Sequence, residues 1–536
     1  MPPIPLAIIK PNPMKRLPTL TLLLVSALSA QKQLPKKPKL ILAVAVDQFR
    51  YEYLLRFRPD YTAGFKKILE NGAVFDDAQY QHFLTVTAVG HSTFLSGATP
   101  AMSGIVGNEW YDRASQKNVT SVSDDDTQLI GIPAGQKGSS ARRMLSSTLG
   151  DELKMQGQKN KVIGISIKDR SAILPVGHMA DAAYWIDVKT SQWVTSTYFM
   201  DKLPKWVADV NASDPAARAH NASWFALDAK PGDKPLCTMP GANMEKTPGV
   251  RTCGSLEASP WGNELIEELA ERAVAEEKMG HHEGTDILAV SFSSNDYVGH
   301  AVGPDDPAVR DISIRTDRLL GKLLDAVDKQ VGLDNVVFVM TADHGVAPVP
   351  EVNQARRMPG GRLKAADPTT AIQQALEVKY GAGKWIEGGS GAAPYFDRAL
   401  IAKYKATEAE VQQTAAEAVR ALPHIFRVYT ADQIQNGRMQ DDYAGVLVRN
   451  GFYRQRSPDL IVISDQYYQF GASGTTHGTP FKYDTHVPVI FMGPGIKPGH
   501  YYEKIAVNDI APTLAAIAGV QEPSGSIGRV LQEMWP

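Results

Sequence analysis

The chain has little cysteine: two residues in 536, Cys237 and Cys253. They form no C-x-x-C pair, so thiol redox chemistry has no support, and a chain this long needs no disulfide scaffold to build a core. An excess of one charge is missing too. Lys+Arg number 56 and Asp+Glu 58, a formal net charge of −2, which lacks the basic balance of a nucleic-acid binder. No apolar run reaches the roughly 18 residues that a membrane span requires. Internal repeats and long low-complexity segments are absent. What remains is a large globular chain of ordinary composition, 43% hydrophobic and 21% charged.

The N-terminus carries an export pattern. Met14-Lys15-Arg16 is a positive n-region, Leu17 to Leu28 an apolar stretch, and Ser29-Ala30-Gln31 a small-residue cleavage point. Residues 1–30 therefore read as a secretory signal peptide, with Met14 as an alternative start and residues 1–13 as an upstream extension. Leu28 departs from the small-x-small rule, which leaves the cut position open. No Cys follows the apolar run, which speaks against a lipid anchor. The mature chain, 31–536, is expected to be exported, periplasmic or extracellular, with no stable membrane span. In an oxidising compartment Cys237 and Cys253 are expected to pair and close a short loop; two free buried thiols are the alternative.

After a polar linker at 31–38, short β-rich apolar runs recur: Leu40–Val46, Val162–Ser166, Ile287–Phe292, Val336–Met340, Leu460–Ile463 and Val487–Phe491. Continuous runs of this kind suit strands buried on both faces. Helical segments such as Asn263 to Glu277 and Asp317 to Lys329 lie between them. The alternation predicts an α/β fold with a mostly parallel central sheet flanked by helices. Residues 176–260, rich in Trp, Tyr, Asn and Pro, and residues 355–460, which mix helical signals with irregular pieces, read as insertions that cap the active-site edge of the sheet. Ionisable residues follow four of the runs: Asp47, Lys168 with Arg170, Asp296, and Asp343 with His344. Open α/β sheets bind ligands at the carboxyl ends of their strands, so these residues are expected to converge.

Asp296-x-x-x-His300 is an i, i+4 pair that shares one helix face, and an ordinary surface pair fits it as well as two metal ligands do. In Thr341-Ala342-Asp343-His344-Gly345 a buried strand runs into an Asp-His pair that is costly to bury without a partner, such as a metal. His477 sits in a small, Gly-rich loop, Gly474-Thr475-Thr476-His477-Gly478-Thr479-Pro480, with His486 as its rival. Taken singly, Lys168-Asp169-Arg170 reads as a solvated surface run.

Taken together, these motifs resemble the alkaline phosphatase superfamily. They include Asp47, Thr87 before Gly90-His91-Ser92-Thr93, Asn108-x-Trp110, Lys168-Asp169-Arg170, Asp296-x-x-x-His300, Asp343-His344-Gly345 and Thr476-His477-Gly478. The closest likeness is to its bacterial, phosphate-irrepressible Thr-nucleophile alkaline phosphatases, relatives of the nucleotide pyrophosphatase/phosphodiesterases. Motif order holds from residue 40 to Asp509-Ile510-Ala511-Pro512-Thr513-Leu514. The resemblance implies two Zn²⁺ ions, one held by Asp296, His300 and His477, the other by Asp47, Asp343 and His344. It implies Thr87 as nucleophile, with Thr85 the competing hydroxyl. Lys168, Arg170 and Asn108 would contact phosphoryl oxygens, which favours monoesters over diesters among small-molecule phosphate esters. Hydrolysis would pass through a phospho-threonine and release inorganic phosphate. The sulfatase motif C/S-x-P-x-R does not occur near Thr87. A phosphodiesterase of the same superfamily, and a non-catalytic exported protein that captures phosphate or metal, are the rival readings.

Overall fold

The computed structural model describes residues 36–240 and 250–536; the signal-type pattern Met14–Ala30 lies outside them. Eleven strands form one sheet: β1 (Leu40–Val46), β2 (Ala73–Gln79), β3 (Ser123–Ile130), β4 (Lys137–Ser139), β5 (Val162–Ser166), β6 (Ala182–Asp187), β7 (Gln192–Ser196), β8 (Asp286–Phe292), β9 (Val336–Thr341), β10 (Val489–Met492) and β11 (Gly499–Ala506). Their order is β11-β2-β10-β9-β1-β8-β5-β6-β7-β3-β4. The central run β9-β1-β8-β5-β6 is parallel. Antiparallel pairs join it on both sides, β10 to β9 and β7 to β6. The fold is thus mixed α/β, with the expected parallel character concentrated at the centre.

Every residue of β1, β5, β8 and β9 is buried, which is why these runs carry no polar alternation. Burying each Val, Leu or Ile side chain contributes about 1.5–3 kcal/mol. The helices Pro260–Glu276 and Pro307–Val331 pack on each other, and the first also lies on β8 and β5. Both begin with Pro in the first turn, where its missing N–H is not needed. The Asp306 carboxylate caps the second by accepting from Ala308 N at 2.9 Å.

The structure corrects two expectations. Leu460–Ser464 does not join the central sheet; it pairs antiparallel with Ile425–Thr430. It belongs to a second core built from Ile372, Trp385, Phe396, Val411, Val419 and Val462. An apolar run reads alike whichever core buries it. Conversely, part of the 176–260 segment is sheet: β6 and β7 extend the central layer through Tyr184, Trp185 and Trp193, all buried. β7 is half polar and carries no continuous apolar run, whereas β6 does carry one, Ala182–Ile186, inside a segment otherwise rich in Trp, Tyr, Asn and Pro. Cys237 and Cys253 form a disulfide.

Candidate active site

The strands β1, β8 and β9 are in register, Ala45 level with Ser291 and Thr341, so the residues just beyond their carboxyl ends meet. Asp47 follows β1, and its N–H donates to the Phe292 carbonyl at 3.0 Å. Asp343 and His344 follow β9. Asp296 and His300 share the helix Ser294–Val302 that opens after β8. His477 arrives from a distant loop. Gly474, with φ of 62°, lets that loop close in: a Cβ there would lie 2.2 Å from the His300 carbonyl oxygen.

Two ligand sets result. His300 Nε2 lies 3.2 Å from both Asp296 Oδ1 and His477 Nε2, and His477 Nε2 lies 3.8 Å from Asp296 Oδ1. His344 Nε2 lies 3.6 Å from Asp47 Oδ1 and 3.3 Å from Asp343 Oδ2. The sets adjoin, because the His344 and His477 rings stack at 3.5 Å, and His344 also falls within ligand distance of Asp296 and His477. Each imidazole is oriented by a backbone carbonyl on Nδ1: His300 by Thr475 at 2.8 Å, His477 by Thr85 at 2.8 Å, His344 by Gly345 at 2.9 Å. All three therefore turn Nε2 toward the carboxylates, the arrangement that outer contacts impose on metal-binding histidines.

The electrostatics fit cation binding. Burial pushes the His344 and His477 imidazoles below their ordinary range, the latter helped by the neighbouring His344 and His300 rings, so both keep a free lone pair. Burial pushes the Asp47 carboxyl up, and Asp343 adds to this. Asp47 Oδ1, Asp343 Oδ2 and His344 Nε2 are buried without a hydrogen-bond partner, and such groups are costly unless an ion satisfies them. His486, the rival ligand, is elsewhere. It stacks on Tyr51, and its Nε2 bonds to the Asp76 carbonyl at 2.9 Å.

Thr87 opens the helix Thr87–Ser96 and is buried. Gly90 brings this helix against the Asp343 backbone, since a Cβ there would sit 2.1 Å from its carbonyl oxygen. Asn108 Oδ1 accepts from Ala88 N at 2.8 Å, which fixes the amide beside the helix N-terminus. Thr85 is buried, and its hydroxyl donates to the Thr479 carbonyl at 3.0 Å.

Lys168 and Arg170 differ. Lys168 Nζ pairs with Asp47 Oδ2 at 2.7 Å and Asp296 Oδ2 at 2.6 Å, spanning the two ligand sets. Burial draws its pKa down, but Asp296 and Asp47 outweigh this and hold the ammonium charged. Arg170 makes none of these contacts; its nearest acid is Asp169, at 3.9 Å, and its Nε is buried without a partner.

Two contributors escaped sequence reasoning. Gln48 N donates to Asp343 Oδ1 at 3.0 Å and Gln48 Nε2 to Asp296 Oδ1 at 2.5 Å. Its φ of 62°, rare outside Gly, has no sequence signal. His91 faces Asp343 Oδ2 at 3.3 Å and Ser291 Oγ at 2.8 Å; its place one helical turn after Thr87 was the available clue.

Comparison with known proteins agrees with this geometry. Residues 41–487 match the type I phosphodiesterase / nucleotide pyrophosphatase family. Alkaline phosphatase PafA of Elizabethkingia meningoseptica is 34% identical over 93% of this chain and 94% of its own. Alkaline phosphatase PhoV of Synechococcus elongatus is 33% identical over 96% and 98%. The crystal structure of PafA superposes with a TM-score of 0.86 at 32% identity, covering 94% of this chain and 100% of that one. A PafA variant altered at a Thr, an Asn, a Lys and an Arg has also been solved. The chain belongs to the type I phosphodiesterase / nucleotide pyrophosphatase family of the alkaline phosphatase superfamily and stands among its alkaline phosphatases, phosphomonoester hydrolases that depend on metal ions.

Proposed function

We propose that the chain hydrolyses phosphate monoesters in two displacements at phosphorus, with Thr87 as nucleophile and two zinc ions in the ligand sets. Asp296, His300 and His477 would hold one ion, and Asp47, Asp343 and His344 the other; Asp and His donors suit zinc. When bound, such a pair lowers the pKa of a nearby hydroxyl and neutralises charge on the attacking and leaving oxygens. The observation that carries the proposal is the set of three inward-facing Nε2 atoms and unpartnered carboxylate oxygens beside the Thr87 helix.

The chain's own groups supply the rest. Thr87 Oγ attacks phosphorus, the P–O bond to the alcohol breaks, and the alcohol leaves with a proton. Water then attacks the phospho-threonine, releasing inorganic phosphate and restoring Thr87. The N–H groups at the helix N-terminus favour the developing negative charge. Asn108, held through Oδ1, has its Nδ2 donors for a phosphoryl oxygen. Arg170 offers a planar fork to the same group. Lys168 must release one of its two carboxylates to reach it. Two cations here favour a monoester dianion over a diester monoanion. In acid-quenched turnover, a phosphorylated residue should map to Thr87; label on any other residue, or none under single-turnover excess of enzyme, would refute the assignment. The Met14–Ala30 pattern supports export, with a mature N-terminus near Gln31 that mass spectrometry of the native protein would read.

A further inference from the structure

A cavity of about 440 Å³ lies between the sheet and the second core, with Asn108 and His477 among its lining residues. Leu84 and Val86, which lead into Thr87, form one wall; Ile461, Tyr468 and Phe470 form the other. Its size suits a small organic group. Among the described residues that line it there is no Lys or Arg, and the one acid is Glu109. Some of its hydroxyls are committed to the protein. Ser464 Oγ donates to the Tyr468 carbonyl at 2.6 Å, Thr479 Oγ1 to Asp484 Oδ2 at 2.6 Å, and Ser457 Oγ accepts from Tyr453 N at 3.0 Å.

We propose that this cavity receives the organic part of the substrate, and that it selects monoesters of uncharged alkyl or aryl alcohols. The inference rests on the monoesterase reading of the adjoining site. With the phosphoryl group beside Asn108 and His477, the ester's organic group borders the cavity. An alkyl or aryl group there leaves water for apolar walls. A second phosphate or a carboxylate would meet no cation and would face Glu109. Nucleoside polyphosphates and other esters with a second anionic group are therefore disfavoured.

The test uses methyl, butyl and benzyl phosphates, alkyl esters that differ mainly in apolar size. Full burial of each methylene is worth about fourfold in kcat/KM, so butyl phosphate should exceed methyl phosphate by about tenfold or more. Tyr468→Ala/Phe470→Ala should bring butyl within about threefold of methyl while methyl phosphate turnover stays within about twofold of wild type. Ala393→Trp, on the cavity-lining strand Ala393–Phe396, should fill the cavity and do the same, and guards against misfolding of the double variant. A flat alkyl series in the wild type, or a butyl advantage that survives both variants, would overturn the pocket. Failure to hydrolyse every one of these esters would instead overturn the monoesterase reading.

Discussion

Thr85 and Thr87 lie two residues apart, and both are buried, yet their hydroxyls have opposite surroundings. The Thr85 hydroxyl donates to the Thr479 carbonyl at 3.0 Å, and the Thr85 carbonyl accepts from His477 at 2.8 Å. Thr479 in turn donates from N and Oγ1 to Asp484 Oδ2, at 2.8 and 2.6 Å. Thr85 thereby clamps the His477 loop to the segment that leads into Thr87. Thr85→Val keeps the shape but removes the donor and leaves a carbonyl short of its partner, a loss of about 1–3 kcal/mol in stability. No hydrogen bond within the described residues engages the Thr87 hydroxyl; its carbonyl alone is bonded, to His91. Thr87→Ala, at a helix start where Ala is a good former, loses one buried methyl and should cost about 1 kcal/mol or less. Turnover should rank the other way: a fall of at least about a thousandfold for Thr87→Ala, and less than about tenfold for Thr85→Val. Urea denaturation and monoester hydrolysis on the same preparations read both quantities, with Thr85→Ser expected to restore stability. A Thr87→Ala protein that keeps its turnover while Thr85→Val loses it would refute both the nucleophile and the clamp.

Exhaustive chelation should abolish activity and lower the melting temperature, because Asp47 Oδ1, Asp343 Oδ2 and His344 Nε2 have no hydrogen-bond partner among the described residues; elemental analysis of the reactivated enzyme should find zinc, and full activity without metal would be fatal to the two-ion proposal. Arg170→Ala should lower monoester kcat/KM by roughly 10- to 150-fold, the worth of about 1.5–3 kcal/mol, with a much smaller loss on a diester; equal losses would favour the phosphodiesterase reading. Lys168→Ala should add a stability loss of about 3 kcal/mol in the metal-free protein, since it leaves Asp47 and Asp296 buried without their counter-charge, measurable by denaturation in chelator. Glu267 is buried and pushed up to about 7 by desolvation, with Lys322 at 3.5 Å the main offset. A raised pKa favours the folded state below the ordinary glutamate range, and that advantage is lost as pH rises through 7. Glu267→Gln should therefore match wild type near pH 4 and exceed it by up to about 3 kcal/mol above pH 8; a constant difference across that range would exclude the titration.

The central strands were legible because burial on both faces strips them of polar residues, as in Leu40–Val46 and Val336–Met340. Asp47, Asp343 and His344 were legible as candidates because they follow such runs, and Asp296 and His300 because they repeat at helical spacing. What escaped depends on distance in the chain. Leu460–Ile463 carries the same apolar signature as the sheet strands, and nothing in it specifies which core will bury it. The pairing of Lys168 with Asp47 and Asp296 spans more than a hundred residues. Gln48 owes its part to a left-handed backbone that its side chain does not announce. The place of His477 beside His300 follows from Gly474, whose lack of a Cβ is visible in the sequence while the carbonyl it makes room for is not.

The three imidazoles that face the carboxylates are each aimed by a peptide carbonyl rather than by a side chain. A carbonyl is present whatever residue occupies the position. At 475, and for the carbonyl at 85, inheritance has only to preserve the path of the chain, whereas at 345 that path requires glycine, since a Cβ there would lie 2.1 Å from the Tyr483 carbonyl oxygen. Substitutions behind the ligands can then accumulate with little effect on ring orientation so long as that path holds. Such an outer layer can drift widely in composition while its function stays put, whereas layers built from carboxylate or amide side chains must keep their chemistry letter by letter.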